Sequence, residues 1–169
     1  MSSRLFLAAA ILAAFIAAAG CGFQLRGSAH VPFNTIYIPN ATGGLALDLK
    51  RNIEAGTQAK VVTDAKMADA ILDLYGEARE KIILSLTGAG QVREFRLRYT
   101  VNFRVHDGKG AEYVPRTMVQ LTRDVTYSDS AILAKEAEEQ LLFRDMQTDF
   151  VQQILRRLAT AEKPKPPPQ

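Results

Sequence analysis

Tryptophan is absent from these 169 residues, cysteine occurs once, at Cys21, and histidine twice, at His30 and His106. One cysteine excludes an intramolecular disulfide and a four-cysteine zinc site. Two histidines leave no His-rich metal site, and a Ser-His-Asp triad would have to be built from one of them. His106 precedes a hairpin turn and His30 lies near the start of the chain, and both read as ordinary exposed histidines. An excess of one charge is also missing. The 21 Lys and Arg stand against 18 Asp and Glu, a net +3 that falls to +2 once the first twenty residues, with Arg4, are set aside. Bulk charge therefore gives no support to nucleic-acid binding. No G-x-S-x-G, H-E-x-x-H, P-loop or G-x-G-x-x-G occurs. Gly88-Ala89-Gly90 has only two glycines and sits between strand patterns, so it reads as a turn. No catalytic residue, metal site or dissociable cofactor is expected. The composition, 47% hydrophobic and 23% charged, is that of one globular domain.

Long apolar runs are lacking except at the start. Leu5 to Ala19 is fifteen uncharged residues behind the positive Met1-Ser2-Ser3-Arg4, short of the roughly 20 that span a bilayer as a helix. This is the layout of a bacterial export signal over residues 1–20. Ala17-Ala18-Ala19 suits ordinary signal peptidase, and Ala18-Ala19-Gly20-Cys21 resembles a lipobox with Ala18 where Leu is usual. Ordinary cleavage would leave a lone thiol in an oxidising compartment, whereas lipidation consumes it. Cys21 is therefore expected to carry a covalent lipid, an anchor of several acyl chains at ~0.8 kcal/mol per buried CH₂. Gly22, rather than Asp, follows the cysteine. By resemblance to the lipoprotein sorting rule, that places the anchor in the outer membrane on its periplasmic side.

Residues 21–34 lack periodicity and read as a tether, residues 35–160 as one α+β domain, and residues 161–169 as a disordered Pro-rich tail. Thr35-Ile36-Tyr37-Ile38 is a short β-prone run. Leu45, Leu49 and Ile53 recur at i+4 and predict an amphipathic helix closed by Gly56. Val61-Val62 is either a brief strand or the way into the next one. From Ile71 the period becomes two, with Leu72, Leu74, Gly76, Ala78, Ile82, Leu84 and Leu86 on one face. Asp73, Tyr75, Glu77, Arg79, Lys81 and Ser85 are on the other, and a bulge or an exposed strand end is expected near Glu80. Phe95 to Val105 alternate strictly with polar residues. A fourth strand carries Val119, Leu121, Val125 and Tyr127. A helix from Ala131 to about Leu158, capped by Asp129 or Ser130, carries the stripe Phe143, Met146, Phe150, Ile154 and Leu158 and is ~40 Å long. The economical burial is a two-layer sandwich, two helices on one face of a four-stranded, mostly antiparallel sheet, in the order β-α-β-β-β-α.

That arrangement leaves one sheet face polar and uncovered. Arg96, Arg98 and Arg104 project from it, with Arg93 just before, and Arg79, Lys81 and Arg116 are expected opposite them. One reading is a solvated face with edge-protecting charges. The other is a patch for an anionic partner, either a phosphorylated lipid or an acidic protein lumen.

Cys21-Gly22-Phe23-Gln24-Leu25-Arg26-Gly27 after a signal resembles the opening of mature LptE proteins, lipoproteins of the lipopolysaccharide-assembly translocon. Gly90-Gln91-Val92-Arg93-Glu94-Phe95, Arg123-Asp124-Val125-Thr126-Tyr127, Ala131-Ile132-Leu133-Ala134-Lys135-Glu136 and Ile154-Leu155-Arg156-Arg157-Leu158 follow in the family's order. The resemblance implies a non-enzymatic protein that plugs the outer-membrane β-barrel LptD, assists its assembly, and helps insert lipopolysaccharide into the outer leaflet. It implies lipopolysaccharide contact at Lys135, matching one of two basic loop positions in the family. The other falls near Gly88, which is not basic, and Arg93 is the nearby substitute. Lys135 is also a local conflict, a cation in the first turns of a helix, where the dipole disfavours it by about 0.3–1 kcal/mol at most. The rival expectation is a free-standing periplasmic lipoprotein carrying an amphipathic ligand, which should enclose an apolar cavity.

Overall fold

The computed structural model describes residues 29–127 and 132–162. In chain order the elements are β1 (Thr35–Tyr37), α1 (Gly44–Gly56), β2 (Lys60–Val62), a 3₁₀ turn (Ala65–Met67), β3 (Ala70–Leu86), β4 (Val92–His106), β5 (Glu112–Thr126) and α2 (Ile132–Ala159). They form one sheet in the order β2-β1-β3-β4-β5. β1 runs parallel to both β2 and β3, and β3, β4 and β5 form an antiparallel meander. The architecture is the expected α+β sandwich, with five strands in place of four. The extra strand is Lys60–Val62, three residues long and too short to show a period of its own. It is defined by its register on β1, Thr35 opposite Lys60 and Tyr37 opposite Val62.

One core joins the two layers. Leu97, Tyr99, Val101, Phe103 and Val105 of β4 are at most 1% exposed. Leu45, Leu49 and Ile53 of α1 and Phe143, Met146, Phe150, Ile154 and Leu158 of α2 lie against the same cluster. Each such side chain contributes roughly 1.5–3 kcal/mol by leaving water. The α1 stripe follows the helical period because residues four apart share a face. α1 ends one residue later than expected: Gly56 is still helical, and Thr57 closes it, donating its backbone N–H and its hydroxyl to the Ile53 carbonyl at 3.0 and 2.8 Å.

The packed domain also starts earlier than residue 35. Val31 and Phe33 are buried, and the Gln58 amide holds both backbone groups of Val31, at 3.3 and 2.6 Å. The proposed caps Asp129 and Ser130, the signal and Cys21, and the tail beyond residue 162 lie outside the described residues. Among the described residues no helix is long and apolar enough to cross a membrane.

β3 departs from the expected alternation. Its register against β4 slips between Tyr75 and Ala78, where Gly76 has φ +60°, a conformation glycine adopts without strain. The first bulge therefore sits at Gly76, and Glu80 lies in an exposed stretch of the strand. One extra residue exchanges the two faces of the residues that follow it, until a second slip between Ile83 and Ser85 restores them. Leu72 stays in the core opposite Val105. Beyond the bulge, Arg79 lies opposite Tyr99 and Ile83 opposite Phe95 on the helix side. Ala78, Glu80 and Ile82 lie opposite Thr100, Arg98 and Arg96 on the open side.

Candidate functional site: the open sheet face and the Lys135 end

Strand alternation sends Arg96, Arg98 and Arg104 to the face without helices, as expected, and each meets a carboxylate there. Arg96 makes a two-pronged contact with Asp124, from Nε at 2.7 Å and Nη2 at 2.8 Å. That hydrogen-bonded pairing raises the Arg96 pKa and holds the Asp124 carboxyl below its usual range. Arg98 reaches Glu80 at 3.3 Å, and its buried Nε has no hydrogen-bond partner among the described residues. Arg104 reaches Asp73 at 2.8 Å. His106 Nδ1 accepts the Gly108 N–H at 3.0 Å, so the neutral ring carries its proton on Nε2 and donates it to Asp73 at 3.1 Å. His106 is only 16% exposed and is therefore not the solvated histidine expected.

The open face is thus a set of paired charges, not a cationic patch. Two residues expected on it are elsewhere. The Gly76 bulge turns Arg79 and Lys81 towards the helices, where Arg79 donates to Gln147 at 2.7 Å and Lys81 to Glu139 at 2.5 Å. Arg116 shares with Arg104, Asp73 and Glu77 an open cleft of about 560 Å³ beside the start of α1.

The helix-side face carries a polar network that the alternation pattern alone missed. Tyr99 donates to Glu77 at 2.5 Å, and Gln147, which accepts from Arg79, donates to Asp48 at 2.6 Å. This chain links β4, β3, α2 and α1. Burial, reinforced by the Glu77 hydrogen bond and opposed by Arg79, pushes the Tyr99 hydroxyl up to about 12. Gly76 was the available signal, since an isolated glycine inside a strand pattern marks a bulge.

Lys135 and Arg93 come to the same end of the molecule. The Arg93 carbonyl accepts the Tyr127 N–H at 2.8 Å. Lys135 donates to Glu138 at 2.8 Å and lies 3.5 Å from the Thr126 hydroxyl. The Lys135 side chain is 23% exposed, lining a small crevice with Lys81, Phe95, Leu97, Val125, Tyr127 and Glu139. Arg93 is exposed and not part of that lining. Phe95 and Tyr127 meet edge-on, ring centroids 5.4 Å apart. Gly88 lies in the β3–β4 turn with open space around its Cα. Among the described residues no group of three His, Cys, Asp or Glu is placed to hold a metal ion.

The LptE lipopolysaccharide-assembly family profile matches residues 33–158, most of the chain. The chain belongs to the LptE family. It is 28% identical over 161 residues to the LPS-assembly lipoprotein LptE of Photorhabdus laumondii, covering 90% of this chain and 86% of that one. To the LptE of Pectobacterium atrosepticum it is 28% identical over 165 residues, with 95% and 88% covered. Among solved structures, lipoprotein B from Nitrosomonas europaea is 45% identical with a TM-score of 0.68, over 80% of this chain and 88% of that one. The rare lipoprotein B from Shewanella oneidensis is 26% identical with a TM-score of 0.65, over 75% and 95%. The LptE match includes every described site residue above, from Asp48 to Gln147.

Proposed function

We propose that this protein is an outer-membrane lipoprotein, acylated at Cys21 and held on the periplasmic side. It seats inside an LptD-type β-barrel, assists that barrel's assembly, and contributes to lipopolysaccharide insertion through contacts at Lys135 and Arg93. It acts by binding, without catalysing a reaction.

The observation that carries the reading is the asymmetry of β4. One face is sealed under two helices, and no described element covers the other, which presents Arg96, Arg98 and Arg104 with their carboxylates. Barrel interiors are polar and wet, so a face of fixed, paired charges suits that lumen better than it suits lipid. The names of the relatives, lipoproteins of lipopolysaccharide assembly, support the lipopolysaccharide part of the reading.

The decisive experiment is copurification with a large β-barrel from detergent-solubilised outer membranes. Arg96→Glu with Arg98→Glu should weaken that complex while the domain stays folded, because like charges placed across an interface can cost several kcal/mol. Unchanged copurification of the doubly reversed protein would return the face to solvent. Lys135→Asp should leave the barrel complex intact and reduce lipopolysaccharide binding. Normal binding by that folded variant would remove Lys135 from the site. The intact mass of the membrane-extracted protein should exceed that of the Cys21–Gln169 polypeptide by the lipid. A free thiol at Cys21 would refute the anchor.

A further inference from the structure

The crevice beside Lys135 holds a second lysine, delivered by the bulge. Lys81 would lie on the opposite face of the sheet if β3 alternated without interruption. The extra residue at Gly76 instead brings it under α2. Its ammonium sits 4.4 Å from the Phe95 ring centroid and 6.0 Å from that of Tyr127. Lys81 and Lys135 therefore flank one aromatic floor, and adjacent residues of α2 answer them: Glu139 at 2.5 Å from Lys81 and Glu138 at 2.8 Å from Lys135. With about 10 Å³ of open volume, the crevice has no room for a phosphate while the carboxylates are in place.

We propose that Lys81 and Lys135 together form the seat for one phosphoryl group of an amphipathic glycolipid, and that Glu138 and Glu139 occupy that seat until the phosphoryl group displaces them. This rests on the reading of Lys135 as a lipopolysaccharide contact and adds to it the residue that supplies the second charge. A phosphomonoester carries about −1.5 to −2 charges and three acceptor oxygens. It can therefore balance two ammonium charges at once, which the single charge of one carboxylate cannot. Displacement requires only rotation of two glutamate side chains, because neither is fully buried: Glu139 is 25% and Glu138 45% exposed. The ion pairs given up are partly exposed, and such pairs contribute little to stability. The aromatic floor keeps Lys81 in position when Glu139 leaves, since a cation is attracted to the ring face.

The test measures binding of purified lipopolysaccharide, and of the same lipopolysaccharide chemically dephosphorylated, to the full-length lipoprotein in detergent. Lys81→Gln should weaken binding of the phosphorylated ligand on the order of tenfold, the loss of one charge-assisted hydrogen bond. It should leave binding of the dephosphorylated ligand unchanged, and Lys81→Arg should restore most of the affinity. Glu139→Gln should tighten binding severalfold, which a merely structural ion pair would not do. If Lys81→Gln binds like the wild type while Lys135→Asp does not, the two-lysine seat is wrong and the proposed function stands. If both variants bind normally, the two-lysine seat and the Lys135 contact both fall, and the barrel complex still rests on copurification. If Glu139→Gln weakens binding and lowers the melting temperature, the pair is structural and the inference is overturned.

Discussion

The two faces of β4 use different physics to the same depth along one strand. Towards the helices, Leu97, Tyr99, Val101, Phe103 and Val105 are closed off from water and touch both helices through a single core. Away from them, Arg96, Arg98 and Arg104 hold their positions by ion pairs to Asp124, Glu80 and Asp73, reaching across to β5 and β3. The apolar face is non-directional and cohesive, so it sets stability. The charged face is directional and contributes little to stability, yet it fixes where guanidinium and carboxylate groups point. Stability and the proposed recognition are thus separated by the thickness of one strand, and substitutions on the two faces should separate in the same way.

The largest expected loss is at the sealed face. Phe103→Ala should lower stability by about 3–5 kcal/mol, measured by chemical denaturation. A change below 1 kcal/mol would mean that the core is not the single unit described. Next comes the bulge. A Cβ at Gly76 would lie 2.6 Å from the Asn102 amide nitrogen and at φ +60°, so Gly76→Ala should cost about 1–3 kcal/mol. An unaffected Gly76→Ala protein would show that the bulge can relax. A smaller loss is expected for Tyr99→Phe, about 1 kcal/mol at neutral pH for one hydrogen bond.

That variant also carries a signature in alkali. The folded-state pKa of Tyr99 is raised to about 12, mainly by burial, against about 10 in an unfolded chain. The unfolded state loses its proton first, so the tyrosine's contribution is complete below pH 10 and is lost as pH rises from 10 to 12. Tyr99→Phe should denature less steeply over that window, and parallel wild-type and variant curves would refute the burial of the hydroxyl. The smallest effect belongs to the charged face. Arg96→Ala and Asp124→Ala, singly or together, should leave the denaturation midpoint unchanged. A measurable shift would place that pair among the stabilising contacts and blur the contrast between the faces.

How much of this could be read from the chain alone follows from which signals are local. The strict alternation of Phe95 to Val105 and the i+4 stripes of both helices are properties of consecutive residues, so β4, α1 and α2 could be placed directly. β2 could not, because three residues carry no period and Lys60–Val62 becomes a strand only by pairing with β1. The face assignments of β3 fail between Tyr75 and Ser85, because alternation carried through Gly76 leaves out the extra residue there. The same step misplaced Arg79 and Lys81. Arg96, Arg98 and Arg104 were placed correctly, but their carboxylates were not foreseen. Asp124 and Glu80 come from other strands, and cross-strand register is invisible without knowing the bulges. Lys135 and Arg93 meet at one end because β4 begins where β5 stops, which follows from the hairpin order.

The length of the meander has a consequence of its own. Fifteen residues of β4 at about 3.4 Å each extend about 50 Å. The described chain starts at the end where Ala29 bridges to Thr57, and Lys135 lies at the opposite end, beside Thr126. A bilayer with its headgroups measures about 40–45 Å. Standing upright in a membrane with the Ala29 end at the inner surface, the domain has the reach to bring Lys135 to the headgroups of the other leaflet without any part of it having to move.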